Sequence, residues 1–312
     1  MSIDNRPTIS VVMSCYNASK YLRLAIDSIL SQNYTDFEFI IWNDGSTDDT
    51  ESIIQSYTDA RIRYFYHANT GLGQALCLAC REARGEYIAR MDADDIALPH
   101  RLATELDFLE SNKDYVLVSS AINYIDVEGE YLGRSFPYTW DSIIKSVIFT
   151  NTFIVHPAVM FRRDAYLASE GYLNISGAED RVLWGRMRLY GKYANLPMPL
   201  LNYRLLSGSL SHDTIDPSYL TILRCLREKM AKDETVNNDD LLLHNQLFVY
   251  SRQHSKVEAV SSNFFPEIGY RINHLYDLLR KYIGKDLVAT SIICCKNLYG
   301  YLKYTLHLLG RK

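Results

Sequence analysis

Residues 8–44 read TISVVMSCYNASKYLRLAIDSILSQNYTDFEFIIWND, and this stretch decides the fold class. Thr8–Cys15 is a β-branched, apolar run with little polar alternation, as expected of a strand covered on both faces in a parallel sheet. Leu22, Ala25, Ile26, Ile29 and Leu30 recur at helical spacing, and Phe37–Trp42 (FEFIIW) is a second buried strand. Strand, helix and strand in so short a span make a βαβ unit, whose right-handed crossover sets the two strands parallel.

The same alternation continues outward. Asp48–Tyr57 predicts a helix behind a Gly-Ser-Thr-Asp turn, Ile62–Tyr66 a short strand, Leu72–Ala83 a helix, and Tyr87–Met91 a strand ending at Asp92. Such an order implies an α/β fold with a Rossmann-like, mostly parallel sheet and helices on both faces. A helix over Arg101–Glu110, a strand over Val116–Ser119, a hairpin around Glu128-Gly129-Glu130 and helical periodicity over Asp180–Tyr190 follow. From Tyr219 onward the pattern is almost wholly helical, for instance Ile268, Ile272, Leu275, Leu278 and Leu279. A boundary near Pro217 therefore separates an α/β domain (1–217) from a helical C-terminal subdomain (218–312).

Composition narrows the class without naming it. Apolar residues at 47% and charged residues at 22% are ordinary for a globular protein. A net charge of -4 argues against a nucleic-acid partner, which demands an electropositive face. The balance is uneven, since ten Lys/Arg stand against four Asp/Glu from Ser251 onward. The N-terminus lacks a secretory leader and no run approaches a membrane span, so the expected location is the cytoplasm, with any membrane contact peripheral, on the inner face of the cytoplasmic membrane. Cys77 and Cys80 form a C-x-x-C with no second pair or nearby His, and one turn of an apolar helix explains both.

In doubly wound sheets ligands gather beyond the carboxyl ends of strands, and the polar clusters of this chain fall at such ends. Asp92-Ala93-Asp94-Asp95 follows the strand YIARM, so its carboxylates can converge on a hard cation, Mg²⁺ or Mn²⁺; a solvated acidic turn is the alternative. Asn43-Asp44-Gly45-Ser46-Thr47-Asp48 can offer a carboxylate to a base or ribose, or cap the next helix through Ser46 or Thr47. Asn69-Thr70-Gly71-Leu72-Gly73 lets backbone approach a ligand. Gly177-Ala178-Glu179-Asp180 opens the helix carrying Leu183-Trp184, and a positive helix end favours the ionised carboxylate that a general base must be, or is simply capped by it. Arg162 and Arg163, after the strand AVMF, either face a phosphate of donor or acceptor or form a solvated strand end.

The order VVMSCYN, WNDGSTD, NTGLGQAL, GEYIARMDADD and GAEDRVLWGRM closely resembles the family 2 glycosyltransferases, which have the GT-A fold, over roughly residues 7–212. The resemblance implies inverting transfer from a nucleotide sugar, usually a UDP-sugar, to an acceptor hydroxyl. It implies a nucleotide-sugar site of Tyr16, Asn17, Asp44, Gly71, Arg90, Asp92, Ala93 and Asp94, in which Asp92 and Asp94 serve the ribose and the metal. Asp180 would be the base, Glu179 would orient the acceptor, and His156 and Trp184 would lie on the acceptor side. Three positions depart from the pattern. Ser14-Cys15 stands for a common Pro-Thr, Cys77 for a common Asn, and Leu206 for a common His, leaving His212 as either a late metal ligand or a surface histidine.

Polysaccharide-building relatives use glycan or polyprenyl-diphosphate-linked acceptors, as in O-antigen, capsule or lipooligosaccharide. The basic tail would then be a membrane-interface anchor, or a helical subdomain packed on the catalytic domain or on a second copy in a homodimer. Two rival readings are a metal-dependent sugar nucleotidyltransferase and a nucleotide-sugar-binding module without turnover.

Overall fold

The computed structural model of the chain describes residues 6–147, 154–175 and 179–206. The domain boundary near Pro217, the helical subdomain, the basic tail and His212 lie outside these residues. Among the described residues seventeen elements are formed, of which the first seven alternate strictly. They are β1 (Ile9–Cys15), α1 (Leu22–Leu30), β2 (Phe37–Asp44), α2 (Thr50–Gln55), β3 (Ile62–His67), α3 (Leu72–Arg81) and β4 (Tyr87–Asp92). β1 pairs in parallel with both β2 and β4, and β2 with β3, which is the doubly wound half expected from the hydrophobic runs.

Pleating sorts this half into two layers. Ile9, Val11 and Met13 of β1, with Phe39, Ile41, Ala89 and Met91, form one cluster with Leu22, Ala25, Ile26 and Ile29 of α1. Leu102, Leu106 and Leu109 of α4 (Arg101–Ser111) join the same cluster. α3 packs on β1 and β2 with Ala75, Leu76, Ala79 and Cys80 buried outside that cluster, and so covers the opposite face. Cys77 and Cys80 are buried free thiols of α3, and burial pushes the Cys80 thiol up to about 12. Among the described residues no helix is long and apolar enough to cross a membrane.

The remaining sheet is mixed. After β5 (Ile96–Ala97) and α4 come β6 (Tyr115–Ile125), β7 (Tyr131–Arg134) and α5 (Asp141–Val147). A 3₁₀ turn (His156–Ala158), β8 (Val159–Arg162), α6 (Arg163–Ala168), α7 (Glu179–Met187) and β9 (Lys192–Arg204) complete the described chain. The sheet order is β3-β2-β1-β4-β8-β6-β9-β5, with β7 on β6 as the expected hairpin. β8 enters antiparallel between β4 and β6, while β9 runs parallel to β6.

β9 has no counterpart in the periodicity reading. Its sequence KYANLPMPLLNYR holds two prolines, which deny ladder hydrogen bonds and break the apolar run. The register with β6 jumps from Leu196 opposite Ser120 to Pro199 opposite Ala121, so the interruption is absorbed as a bulge. β6 runs on to Ile125 because β9 and β7 supply it with partners. The predicted helix over Asp48–Tyr57 shortens to Thr50–Gln55.

Candidate active site

β4 ends at Asp92, and the two-residue β5 then pairs with Leu201 and Asn202 of β9. That pairing brings Arg204 onto the turn between them. The Arg204 amide donates to Asp95 Oδ1 at 2.8 Å, and its Nε donates to the Asp94 carbonyl at 3.0 Å. Carboxylate oxygens of Asp92, Asp94 and Asp95 lie within 4.8 Å of one another. Asp92 also pairs with the guanidinium of Arg90, two residues back on the same strand face.

The three acids oppose each other electrostatically. Asp94 is pushed up to about 6 by burial and then by the Asp92 charge. Asp95 stands well above the usual carboxylate range for burial first, then the charges of Asp92 and Asp94. Asp95 Oδ2 is buried with no hydrogen-bond partner. Converging oxygens, mutual repulsion and an orphaned acceptor are all features that a bound divalent cation would relieve, and an all-oxygen set suits Mg²⁺ or Mn²⁺. The residues present therefore fit such an ion. Asp95 and Arg204 complete this turn; a carboxylate next to D-x-D was visible in the sequence, whereas the Arg204 clamp depends on β9.

A second set of loops meets at the ends of β1 and β2. Asn17 sits at φ 50, its amide donates to Ser46 Oγ at 2.9 Å, and its Oδ1 accepts from the Thr47 amide at 2.8 Å. The Ser19 amide and the Thr50 amide donate to Asp48, which is lowered to about 2 against its burial by these bonds. The expected helix cap at Ser46 or Thr47 does not form, because these groups join Asn17 instead; Asp49 precedes α2 without a side-chain cap bond. Asp44 accepts from the Thr70 amide at 3.0 Å, the Thr70 hydroxyl at 2.9 Å and the Gly71 amide at 2.9 Å, so it shapes the Asn69–Gly71 turn. Gly45 has φ +74 and a Cβ there would meet the Asn69 amide nitrogen at 2.6 Å, so only glycine lets these turns touch. Tyr16 is left exposed at the rim.

The acidic pair of α7 adjoins a buried polar chain. Glu179 is buried, with Oε1 3.8 Å from His156 Nδ1, and His156 Nε2 lies 2.6 Å from the Tyr172 hydroxyl. Burial, then the Asp180 charge, raises Glu179 to about 7, so the helix end does not prevail at that residue. Burial and the Arg90 cation hold His156 well below its ordinary value, leaving a neutral ring. Arg90 joins the two acidic sets. Burial works against its charge, but Asp92, Tyr172 and Glu179 outweigh it and raise its pKa. Asp92 holds the Arg90 guanidinium directly, whereas Glu179 acts on the same cation only through its charge, with no ion pair between them.

Three expectations change on this geometry. Arg90 is 3% exposed and holds Asp92, so it supports the site from beneath. Trp184 is fully buried, with its ring edge-on to His156 and Phe161, and cannot line an open acceptor surface. Arg162 donates to the Tyr115 and Leu109 carbonyls and to the Tyr87 hydroxyl; with Arg163 it stands at the start of β4, the end of the strand away from Asp92. Neither arginine faces a phosphate at the acidic cluster.

A mixed sheet with loops and carboxylates gathered at the carboxyl end of β4 is the architecture of the GT-A fold. Among solved structures, S. aureus TarS residues 1–349 in complex with UDP-GlcNAc superimposes with a TM-score of 0.61 at 17% identity, covering 95% of this chain and 90% of that one. The model of glycosyl transferase family 2 matches residues 10–168. The O-antigen biosynthesis glycosyltransferase WbnJ of Escherichia coli is 32% identical over 251 residues, covering 78% of this chain and 97% of that protein. Chondroitin synthase of Escherichia coli is 32% identical over 205 residues, covering 65% of this chain and 29% of its own. The chain belongs to glycosyl transferase family 2.

Proposed function

We propose that this glycosyltransferase moves a hexosyl or N-acetylhexosaminyl group from a UDP-sugar to a hydroxyl of a glycan or lipid-linked saccharide, with inversion, during surface polysaccharide synthesis. The observation that carries the reading is the convergence of Asp92, Asp94 and Asp95 within 4.8 Å, with Asp95 Oδ2 buried and unpartnered. In this reading Asp92 and Asp94 hold Mn²⁺ or Mg²⁺, which when bound offsets the negative charge of the donor diphosphate. Tyr16 lies against the nucleoside, and Asn17 and Asp44 keep the surrounding turns in shape. Asp180 takes the proton of the acceptor hydroxyl as that oxygen attacks the anomeric carbon on the face opposite the departing UDP. Glu179, buried on the neutral His156, orients the acceptor side. The polysaccharide context follows the likeness to WbnJ, an O-antigen biosynthesis glycosyltransferase.

The test is transfer of labelled sugar from a panel of UDP-sugars in Mn²⁺. Asp94→Ala abolishes transfer, and full activity in EDTA rejects the metal. Asp180→Asn keeps UDP affinity and loses turnover, so a variant at the wild-type rate removes Asp180 from the base role. Release of pyrophosphate from a nucleoside triphosphate and a sugar phosphate would instead identify a nucleotidyltransferase, and UDP binding without turnover on any acceptor a binding module.

A further inference from the structure

The end of the sheet opposite the acidic cluster carries a different kind of site. A cleft of about 460 Å³ is lined there by Arg6, Arg63, Arg81, Glu82, Arg84 and Arg163. Its position follows from the strands. Arg6 precedes β1, Arg63 is the second residue of β3, Arg81 ends α3, and Arg84 stands between α3 and β4. Arg163 follows the β8 residue that pairs with Tyr87 at the start of β4. β4 rises about 3.3 Å per residue, so the cleft lies about 17 Å from Asp92, too far for one diphosphate to touch both.

Three of its arginines have no ionic partner among the described residues. Arg63 is neutralised, pairing with Glu38 at 2.7 Å and with Glu82 at 3.1 Å. Among the described residues no carboxylate pairs with Arg81, Arg84 or Arg163, and Arg163 Nε is buried without a hydrogen-bond partner. Three guanidiniums facing one space repel each other unless an anion joins them. Every cation in the cleft is an arginine, the side chain whose planar fork matches phosphate oxygens two at a time. The wall is also rigid. Glu38 Oε1 accepts from the Arg84 amide at 2.7 Å and from Ser10 Oγ at 2.7 Å, and a Cβ on Gly85 would meet the Ser10 amide nitrogen at 2.6 Å. The turn presenting Arg84 is thus set before any ligand arrives, which lowers the entropy cost of binding.

We propose that this arginine cleft is a second, non-catalytic binding site for a phosphate-bearing anion, of the size of a diphosphate or a phosphorylated headgroup. The inference is independent of the donor and acceptor chemistry above. It is tested on the full chain in EDTA with inorganic pyrophosphate, followed by calorimetry, comparing wild type with the double variant Arg81→Gln/Arg84→Gln. Both side chains are exposed and unpaired, so folding is expected to be unaffected. Wild type binds pyrophosphate and the double variant binds at least about tenfold more weakly, a loss of about 1.4 kcal/mol, while affinity for UDP in Mn²⁺ is unchanged. A parallel arm sediments both proteins with phosphatidylglycerol and with phosphatidylcholine vesicles. Sedimentation that needs phosphatidylglycerol and is lost in the double variant identifies a lipid headgroup as the source. Pyrophosphate binding alone identifies a soluble phosphorylated compound. The proposal is overturned if wild type binds neither probe, or if the double variant matches wild type in whatever it binds.

Discussion

Replacing Arg90 by methionine keeps much of the side-chain volume and removes the cation between the two acidic sets. Arg90 is 3% exposed and Asp92 29%, so the pair is screened by protein on one side and by some water on the other. At an effective dielectric near 20, unit charges about 4 Å apart attract by about 4 kcal/mol, and stranding one member of a buried pair costs about 3–5 kcal/mol. Partial hydration of the abandoned Asp92 places the expected loss near the lower end, about 3 kcal/mol. For a domain of about 200 residues this lowers Tm by about 6–12 °C. The assay is thermal unfolding of Arg90→Met, of Asp92→Asn and of the double variant. Removing both charges recovers part of the loss, because the penalty belongs to an unpaired carboxylate and not to the arginine as such. A fall of less than about 2 °C in Arg90→Met, or double-variant losses that simply add, would refute the claim that Arg90 neutralises the Asp92 carboxylate.

Gly73→Ala places a Cβ 2.2 Å from the Ile175 carbonyl oxygen, and because the obstacle is backbone the segment before α7 must shift. A loss of about 1–3 kcal/mol in denaturant unfolding is expected, and an unchanged midpoint would mean that the contact relaxes without cost. Glu105 is fully buried beside Arg101, and burial, partly offset by that cation, raises it from 4.5 to about 7. A folded pKa above the unfolded value means that the native state binds the proton more tightly. The contribution of this one group is therefore complete below pH 4.5 and is lost as pH rises through 7. Unfolding measured across that window should show wild type losing up to about 3 kcal/mol relative to Glu105→Gln; a gain with rising pH contradicts the assignment. Tyr172→Phe leaves His156 Nε2 buried without its partner, at a cost of about 1–3 kcal/mol, read as a lower Tm with UDP affinity preserved.

What the sequence determined by itself was the alternating half of the domain and the location of its polar turns. VVMSC, FEFIIW and YIARM are apolar runs broken only by Ser14, Glu38 and Arg90, a pattern that suits a strand covered on both faces, so β1, β2 and β4 and the acids at their ends were legible. Contiguity also made the D-x-D cluster readable, because neighbours at a strand end need no distant partner to be close. The tertiary structure decided what depends on residues far apart in the chain. β9 hides behind Pro197 and Pro199, yet it carries Arg204 to Asp94 and Asp95 across more than a hundred residues. Arg90 and Trp184 look like ligand-facing residues in a motif, but pleat direction and helix packing turn both inward. Short-range patterns report local geometry; which side chain faces a cleft is set by the elements that close over it, and those are chosen by packing of the whole fold.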